Sequence, residues 1–176
     1  LAAQLNDRAP GLVEKIHILP NLISEEDWTF RCGGSERATS GPVRILWAGS
    51  VTHAKDLDVA APALDAILAD NNVHLYFMGQ APERFLPSSN NISKYHNKVT
   101  ILGAVDLIYY PSAVRAVLPH IAITPLTPCT FNEAKSNIKF LEMTLAGAAV
   151  VASPVGPYAD TVSDGHNGFL AHGEHV

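Results

Sequence analysis

The stretch VRILWAGS, Val43 to Ser50, followed by LDVAAPALDAILAD, Leu57 to Asp70, decides the fold. The first run is continuously apolar and ends on Gly49, as a strand buried on both faces does. In the second, Leu57, Ala60, Ala61, Leu64, Ile67 and Leu68 recur at helical spacing. The unit repeats along the chain. VHLYFMG (Val73 to Gly79) and KVTILGAV (Lys98 to Val105) read as the next strands, and LIYYPSAVRAVL (Leu107 to Leu118) as a helix with Pro111 early in it. IAITPL (Ile121 to Leu126), AAVVAS (Ala148 to Ser153) and HNGFLA (His166 to Ala171) complete a set of six strands. Strands that are apolar on both faces need cover on both sides, which the crossover helices of a parallel sheet supply. The expected fold class is α/β, a doubly wound parallel sheet of Rossmann-like type. Ligands of such sheets lie outside the carboxyl ends of the strands, so the residues just after Gly49, Gly79, Gly103 and Leu126 form the candidate site.

Outward from this block the pattern weakens. EKIHILPN (Glu14 to Asn21) reads as a brief strand stopped by Pro20, and SEED (Ser24 to Asp27) has the spacing of a capping box that opens a helical turn. RCGGSERATSGP (Arg31 to Pro42) has no periodicity and reads as an exposed loop or linker. The chain thus divides into 1–30, an interdomain segment or start of a domain; 31–42, an exposed loop; and 43–176, the α/β domain.

Composition limits what such a domain can do. With 176 residues, 47% hydrophobic and 16% charged, one compact unit is expected. A net charge of −5 offers no basic field for a phosphate backbone, so no nucleic-acid partner is expected. Cys32 and Cys129 form neither a CxxC pair nor a disulfide framework, which favours the reducing cytoplasm. No apolar run approaches the ~20 residues of a membrane-spanning helix. The chain opens at Leu1 without a signal-type leader, so a piece of a longer protein is expected.

The polar residues that stand out lie in AKSNIKFLEMTLAGAAVVASPVG, Ala134 to Gly156. On one continuous helix Lys135, Lys139, Glu142 and Ala146 share a stripe that borders the apolar row Ile138, Leu141 and Leu145. An amphipathic surface helix with a Lys139 to Glu142 ion pair accounts for this pattern. Its place after a strand end suggests a second account. Lys135, Ser136 and the free N–H groups of a first helical turn would face the strand ends and form an anion site. Glu142, deeper in the helix, could accept two hydrogen bonds from a diol such as ribose, and a nucleoside diphosphate carries both parts.

Among the loop residues, His53 could donate to a phosphate or a sugar hydroxyl, or be merely solvated. Ser50 and Thr52 could bond phosphate oxygens or shape the turn. Asp56 reads as the N-cap of the following helix, and Gly147 as a left-handed helix end. Gly103 and Ala104 could meet a base through backbone groups. The chain has no P-loop, GxGxxG after the first strand, HExxH or GxSxG, so kinase, dehydrogenase, zinc protease and hydrolase readings have no motif behind them.

These residues resemble the C-terminal, donor-binding domain of GT-B glycosyltransferases, above all the family 4 type, also called glycosyl transferases group 1. KIHILPNLISEEDW is similar to the family's segment at the domain junction, with Leu22 where glycine is usual. ILWAGSVTHAKDLDVAAPAL resembles its first strand, phosphate loop and helix, and VTILGAV the strand that lines the base pocket. LEMTLAGAAVVASPVG with VSDGHNGFLA carries the most specific likeness. The resemblance implies that Glu142 holds the ribose hydroxyls and that Lys55 meets the donor diphosphate. Ser50 stands where the family has arginine, and Ala134 where it has the first glutamate of its E-x7-E motif, with Glu133 one place off. Lys135 and Lys139 then replace the lost positive charge.

The resemblance therefore implies transfer of a hexosyl group from a nucleotide-diphosphate sugar, without metal or other cofactor, to an acceptor held by a separate N-terminal domain. Retention of anomeric configuration is implied with it. Lys55, Lys139 and Glu142 are the expected catalytic residues. Gly49, Ser50, Thr52, His53, Gly103, Lys135, Ser136 and Glu142 are the expected substrate contacts. The isolated piece is expected to bind donor weakly and catalyse little. It is expected to be cytoplasmic, with peripheral membrane attachment of the full-length protein left open. A sugar-nucleotide epimerase of the same architecture and a degenerate, non-catalytic α/β binding domain are the alternatives. A receiver-like domain would carry acidic strand ends, where this sequence has glycines.

Overall fold

A computed structural model describes residues 15, 17, 19–30, 40–70, 72–86 and 95–172. Its centre is a six-stranded, wholly parallel sheet: β1 (Val43–Gly49), β2 (Val73–Gly79), β3 (Val99–Gly103), β4 (Ile121–Thr124), β5 (Ala149–Ala152) and β6 (Phe169–Leu170). The spatial order is β3-β2-β1-β4-β5-β6, so the winding reverses between β1 and β4. That reversal opens a crevice at the carboxyl ends of these two strands.

Alternate residues of each strand enter two separate cores. Leu46, Ala48, Met78, Ala122, Val150 and Ala152 face one layer, formed by the helices α1 (Glu25–Phe30), α3 (Tyr110–Val117), α5 (Ile138–Leu145) and α6 (Pro157–Thr161). Ile45, Trp47, Leu75 and Phe77 face the other, where α2 (Ala54–Asp70) contributes Leu57, Leu64 and Leu68, with Phe85 and Tyr95 beyond it. Leu46, Leu75 and Phe77 are wholly buried, and burial of such a side chain is worth about 1.5–3 kcal/mol.

Most expected elements form with their ends trimmed. Pro125 halts β4 at Thr124, and Pro111 falls in the first turn of α3, where a missing N–H costs nothing. Ser24 caps α1 by accepting the Asp27 N–H at 3.3 Å. Gly147, at φ +79°, closes α5 in a Schellman pattern: its N–H reaches the Thr144 carbonyl and the next N–H that of Met143. The expected strand over Glu14 to Asn21 does not form at its described residues, Lys15, His17 and Leu19 to Asn21, and the rest of it lies outside them. Leu19 is 89% exposed, and Pro20 has no N–H for a ladder. Of the loop expected over 31–42, all but Ser40 to Pro42 lies outside the described residues.

The larger correction concerns the helix expected to carry Lys135, Lys139 and Glu142 together. It is broken: α4 (Thr130–Glu133) ends at Ala134, Lys135 and Ser136 lie in the joint, and α5 begins only after Asn137. The Asn132 side chain, buried in α4, donates to Asp56 Oδ1 at 2.6 Å and to the Thr127 carbonyl at 2.7 Å. That tether turns α4 toward the β1 crossover, while Phe140 and Met143 keep α5 on the sheet. Lys135 therefore leaves the stripe, and the anion site expected at one continuous helix start is not formed.

At the β1 and β2 ends the backbones touch: Gln80 N–H donates to the Gly49 carbonyl at 3.0 Å, and Gly79 sits at φ +97° with a would-be Cβ inside that carbonyl. Gly79→Ala should lose roughly 1–3 kcal/mol in denaturant unfolding, the range for enforced backbone strain plus the clash. Gly165→Ala, at φ +73° but facing open space, should lose less. Equal losses would show that the close approach adds nothing.

Candidate functional site

A cleft of about 320 Å3 lies at the crevice between the two halves of the sheet. Its walls come from the end of β1 (Gly49, Ser50, His53), the end of β2 (Met78, Gly79), the β3 to α3 connection (Ala104, Val105, Leu107), Tyr110 and α5 (Lys139, Glu142). An adjoining cleft of about 280 Å3 shares Leu107, Tyr110 and Glu142 and extends to Ile23 and Trp28.

One wall is a compact polar triplet. The Tyr110 hydroxyl donates to Glu142 Oε2 at 3.3 Å and accepts from Lys139 Nζ at 3.2 Å, and Nζ and Oε2 are 3.8 Å apart. Trp28 meets the Tyr110 ring edge-on, with centroids 6.0 Å apart, and Lys139 Nζ stands 5.2 Å from the same ring centre. Burial pushes the Tyr110 hydroxyl far up, helped by the Glu142 charge, so it remains a donor. Burial also pushes Glu142 up, against Lys139 and Tyr110, and pushes Lys139 down, against Glu142. Each charge depends on the other where water solvates poorly.

Behind the lining residue His53 a second network centres on Asp56, whose side chain is 5% exposed. Oδ1 accepts the Thr127 N–H at 2.9 Å and Asn132 Nδ2; Oδ2 accepts from Lys135 Nζ at 3.1 Å and lies 3.0 Å from His53 Nδ1. Asp56 is therefore no N-cap: it lies inside the first turn of α2 and fastens the β4 to α4 connection across the crevice. Burial by itself would raise its pKa, but the donors from Thr127, Lys135 and Asn132 outweigh it and hold the carboxylate below its ordinary 3.8.

Of the residues expected from sequence, Gly49, Ser50, His53, Lys139 and Glu142 line the cleft together. Ser50 Oγ and Thr52 Oγ1 are 2.9 Å apart on the exposed loop. Gly103 precedes the lining residue Ala104. Lys135 reaches the cleft only through His53, and half-buried Ser136 lies beside it in the joint. Lys55 is exposed and outside the lining; its carbonyl accepts from Thr127 Oγ1 at 3.3 Å. Glu133 and Ala134 are exposed at the end of α4. Tyr110, Trp28 and Asn132 were not singled out from sequence. The doubled tyrosine of LIYYPSAV was the one available hint, since only one of the two can face the sheet: Tyr110 does, and Tyr109 is 64% exposed.

The network has a measurable consequence. Asp56→Ala should cost about 3–5 kcal/mol at neutral pH, because Lys135 and Asn132 lose their acceptor. The folded-state pKa lies below the unfolded value, so this stabilisation is complete above 3.8 and is lost as pH falls through the folded value. The gap between wild type and variant in urea unfolding should therefore narrow as pH falls below 3.8. A gap that stays constant would mean that Asp56 acts by packing alone.

The family described as "Glycosyl transferases group 1" matches residues 42–176, well over half of the chain. No curated protein matches. Among solved structures, the apo form of the lipopolysaccharide outer core galactosyltransferase WaaB aligns with TM-score 0.63 at 16% identity, over 97% of this chain and 45% of that one. Anabaena Alr3699/HepE, solved in complex with UDP and glucose, aligns with TM-score 0.51 at 20% identity, over 74% of this chain and 35% of that one. TarM aligns with TM-score 0.52 at 12% identity, over 79% of this chain and 27% of that one. The chain thus spans less than half the length of each of these proteins, and at such identities the likeness is one of fold. With the family match and the doubly wound sheet it leads to one assignment: the chain belongs to the group 1 glycosyl transferases and forms one Rossmann-like domain of their GT-B architecture.

Proposed function

We propose that the cleft holds a nucleotide-diphosphate sugar, and that the full-length protein transfers its hexosyl group to an acceptor bound by an N-terminal domain. The Lys139–Tyr110–Glu142 triplet carries this reading. It sets an ionised acceptor and a cation side by side on one wall of a crevice whose opposite wall is backbone at Gly49 and Ser50. Glu142 receives the two ribose hydroxyls, and Ala104 and Val105 meet the base through backbone groups. Lys139, with His53 and Lys135 behind it, opposes the diphosphate. As the sugar departs, negative charge grows on the leaving diphosphate, and fixed cations in a poorly hydrated cleft stabilise that charge more than the ground state. These cations supply the charge without a resident metal. Lys55 is exposed and outside the lining, so its charge would attract the donor rather than hold it.

The solved complexes of Alr3699/HepE with UDP and glucose and with UDP-glucose support a donor of this class. Among the described residues no helix is long and apolar enough to cross a membrane. A sequence with only two cysteines, Cys32 and Cys129, and no disulfide framework supports placing the protein in the reducing cytoplasm.

Calorimetric titration of the full-length chain with UDP, GDP and ADP tests the reading. One nucleotide should bind, and Glu142→Ala and Lys139→Ala should each weaken it by about tenfold or more, the value of a hydrogen bond to a charged group. Binding that neither variant changes would place the donor elsewhere.

A further inference from the structure

The donor reading does not by itself explain why His53 is held where it is. His53, Asp56 and Lys135 form a closed triangle: Nδ1 to Oδ2 3.0 Å, Nζ to Oδ2 3.1 Å, and Nζ to Nδ1 3.2 Å. Nδ1 thus lies between an acceptor, the Asp56 carboxylate, and a donor, the Lys135 ammonium, and each neutral tautomer of the ring satisfies one of the two. His53 lines the cleft, and with Nδ1 engaged the nitrogen left to a ligand is Nε2. Asp56 has no capacity to spare, because Thr127 and Asn132 occupy Oδ1. Its charge is already matched by Lys135. The other ionisable groups facing His53 across the cleft are Lys139, which repels a second positive charge, and Glu142, which is paired to Lys139. Both lysines thus oppose a second positive charge on the ring in the free protein, and a neutral imidazole has only one N–H, too few to serve Asp56 and a diphosphate oxygen together.

Two negative charges arriving beside it reverse that balance. We propose that Asp56 is the positioning residue of a proton-taking phosphate site, in which binding of the donor diphosphate is accompanied by uptake of one proton at the His53 imidazole. This rests on the donor reading above. The proton comes from solvent, one N–H bond forms, and the imidazolium, now N–H at both nitrogens, donates through Nε2 to a diphosphate oxygen and through Nδ1 to Asp56. The same imidazolium faces the additional negative charge that the diphosphate acquires when the sugar leaves. Burial and the Lys135 ammonium hold the free imidazole below its ordinary 6.5, against the pull of Asp56, which agrees with a neutral resting state.

The test titrates the full-length chain with UDP-glucose, GDP-mannose and ADP-glucose in two buffers of different ionisation enthalpy. The diphosphate of a sugar nucleotide has no terminal monoester to titrate near pH 6, so a buffer-dependent heat reports the protein. The expected result is uptake approaching about one proton near pH 6.5, fading as pH rises well above the ordinary histidine range, with affinity rising as pH falls. His53→Gln should still bind, about tenfold more weakly at pH 6, with no proton uptake and a flat pH profile. Asp56→Asn should move the uptake to lower pH, because the imidazolium loses its counter-charge. If that variant does not fold, His53→Gln and the buffer pair decide the matter alone. Binding without uptake in the wild type, or uptake that survives in His53→Gln, overturns the proposal. Failure of all three sugar nucleotides to bind overturns the donor reading, and the proposal with it.

Discussion

The structure of the site depends on one buried carboxylate. Asp56 stands where the sheet reverses, and it accepts from the backbone of the β4 to α4 connection, from Asn132 of α4 and from Lys135 of the joint beyond. Two halves of a doubly wound sheet share only the β1 and β4 ladder, which is two residue pairs long here. Polar bonds across the crevice therefore carry what a longer ladder would otherwise carry. They also fix the bend between α4 and α5, and so determine which cations reach the cleft.

The two lysines of one short stretch consequently serve different networks. Lys135 joins Asp56 and His53 and lies 5.0 Å from the Phe131 ring centre, while Lys139 joins Tyr110 and Glu142. Each ammonium has a carboxylate partner, so the cleft carries matched charge rather than a bare positive field. A matched pair at low hydration costs less to maintain than an isolated ion, and it can exchange one partner for an entering ligand. Close backbone packing completes the arrangement: Gly49 and Gly79 bring the β1 and β2 ends together and leave a wall without side chains.

Much of the fold was legible because it rests on periodicity. Continuous apolar runs ending in glycine and helices at 3.6-residue spacing define a covered parallel sheet wherever they alternate, and all six strands between Val43 and Leu170 formed. Gly147 was legible as a helix end for a similarly local reason, the left-handed backbone that a Schellman closure needs. Gly49, Ser50, His53, Lys139 and Glu142 were legible as residues of one cleft because strand ends and the following helix face border the crevice of such sheets. Asp56 and Tyr110 were not. An aspartate at a helix start is usually a cap, and a tyrosine at helical spacing is usually core. Only partners 71 to 79 residues away along the chain for Asp56, and 29 and 32 residues away for Tyr110, separate those roles from the ones seen.

By itself the sequence determined the α/β class, the strand set and the end of the sheet that carries the cleft, since each follows from local spacing and glycine placement. Tertiary structure alone decided that Lys135 leaves the α5 stripe, that Asp56 joins the two halves, and that Tyr110 links Lys139 to Glu142. The physical reason is range. Helical pattern is written in neighbours three and four residues apart, whereas hydrogen bonds to a buried carboxylate are satisfied by whichever donors the folded chain brings to it.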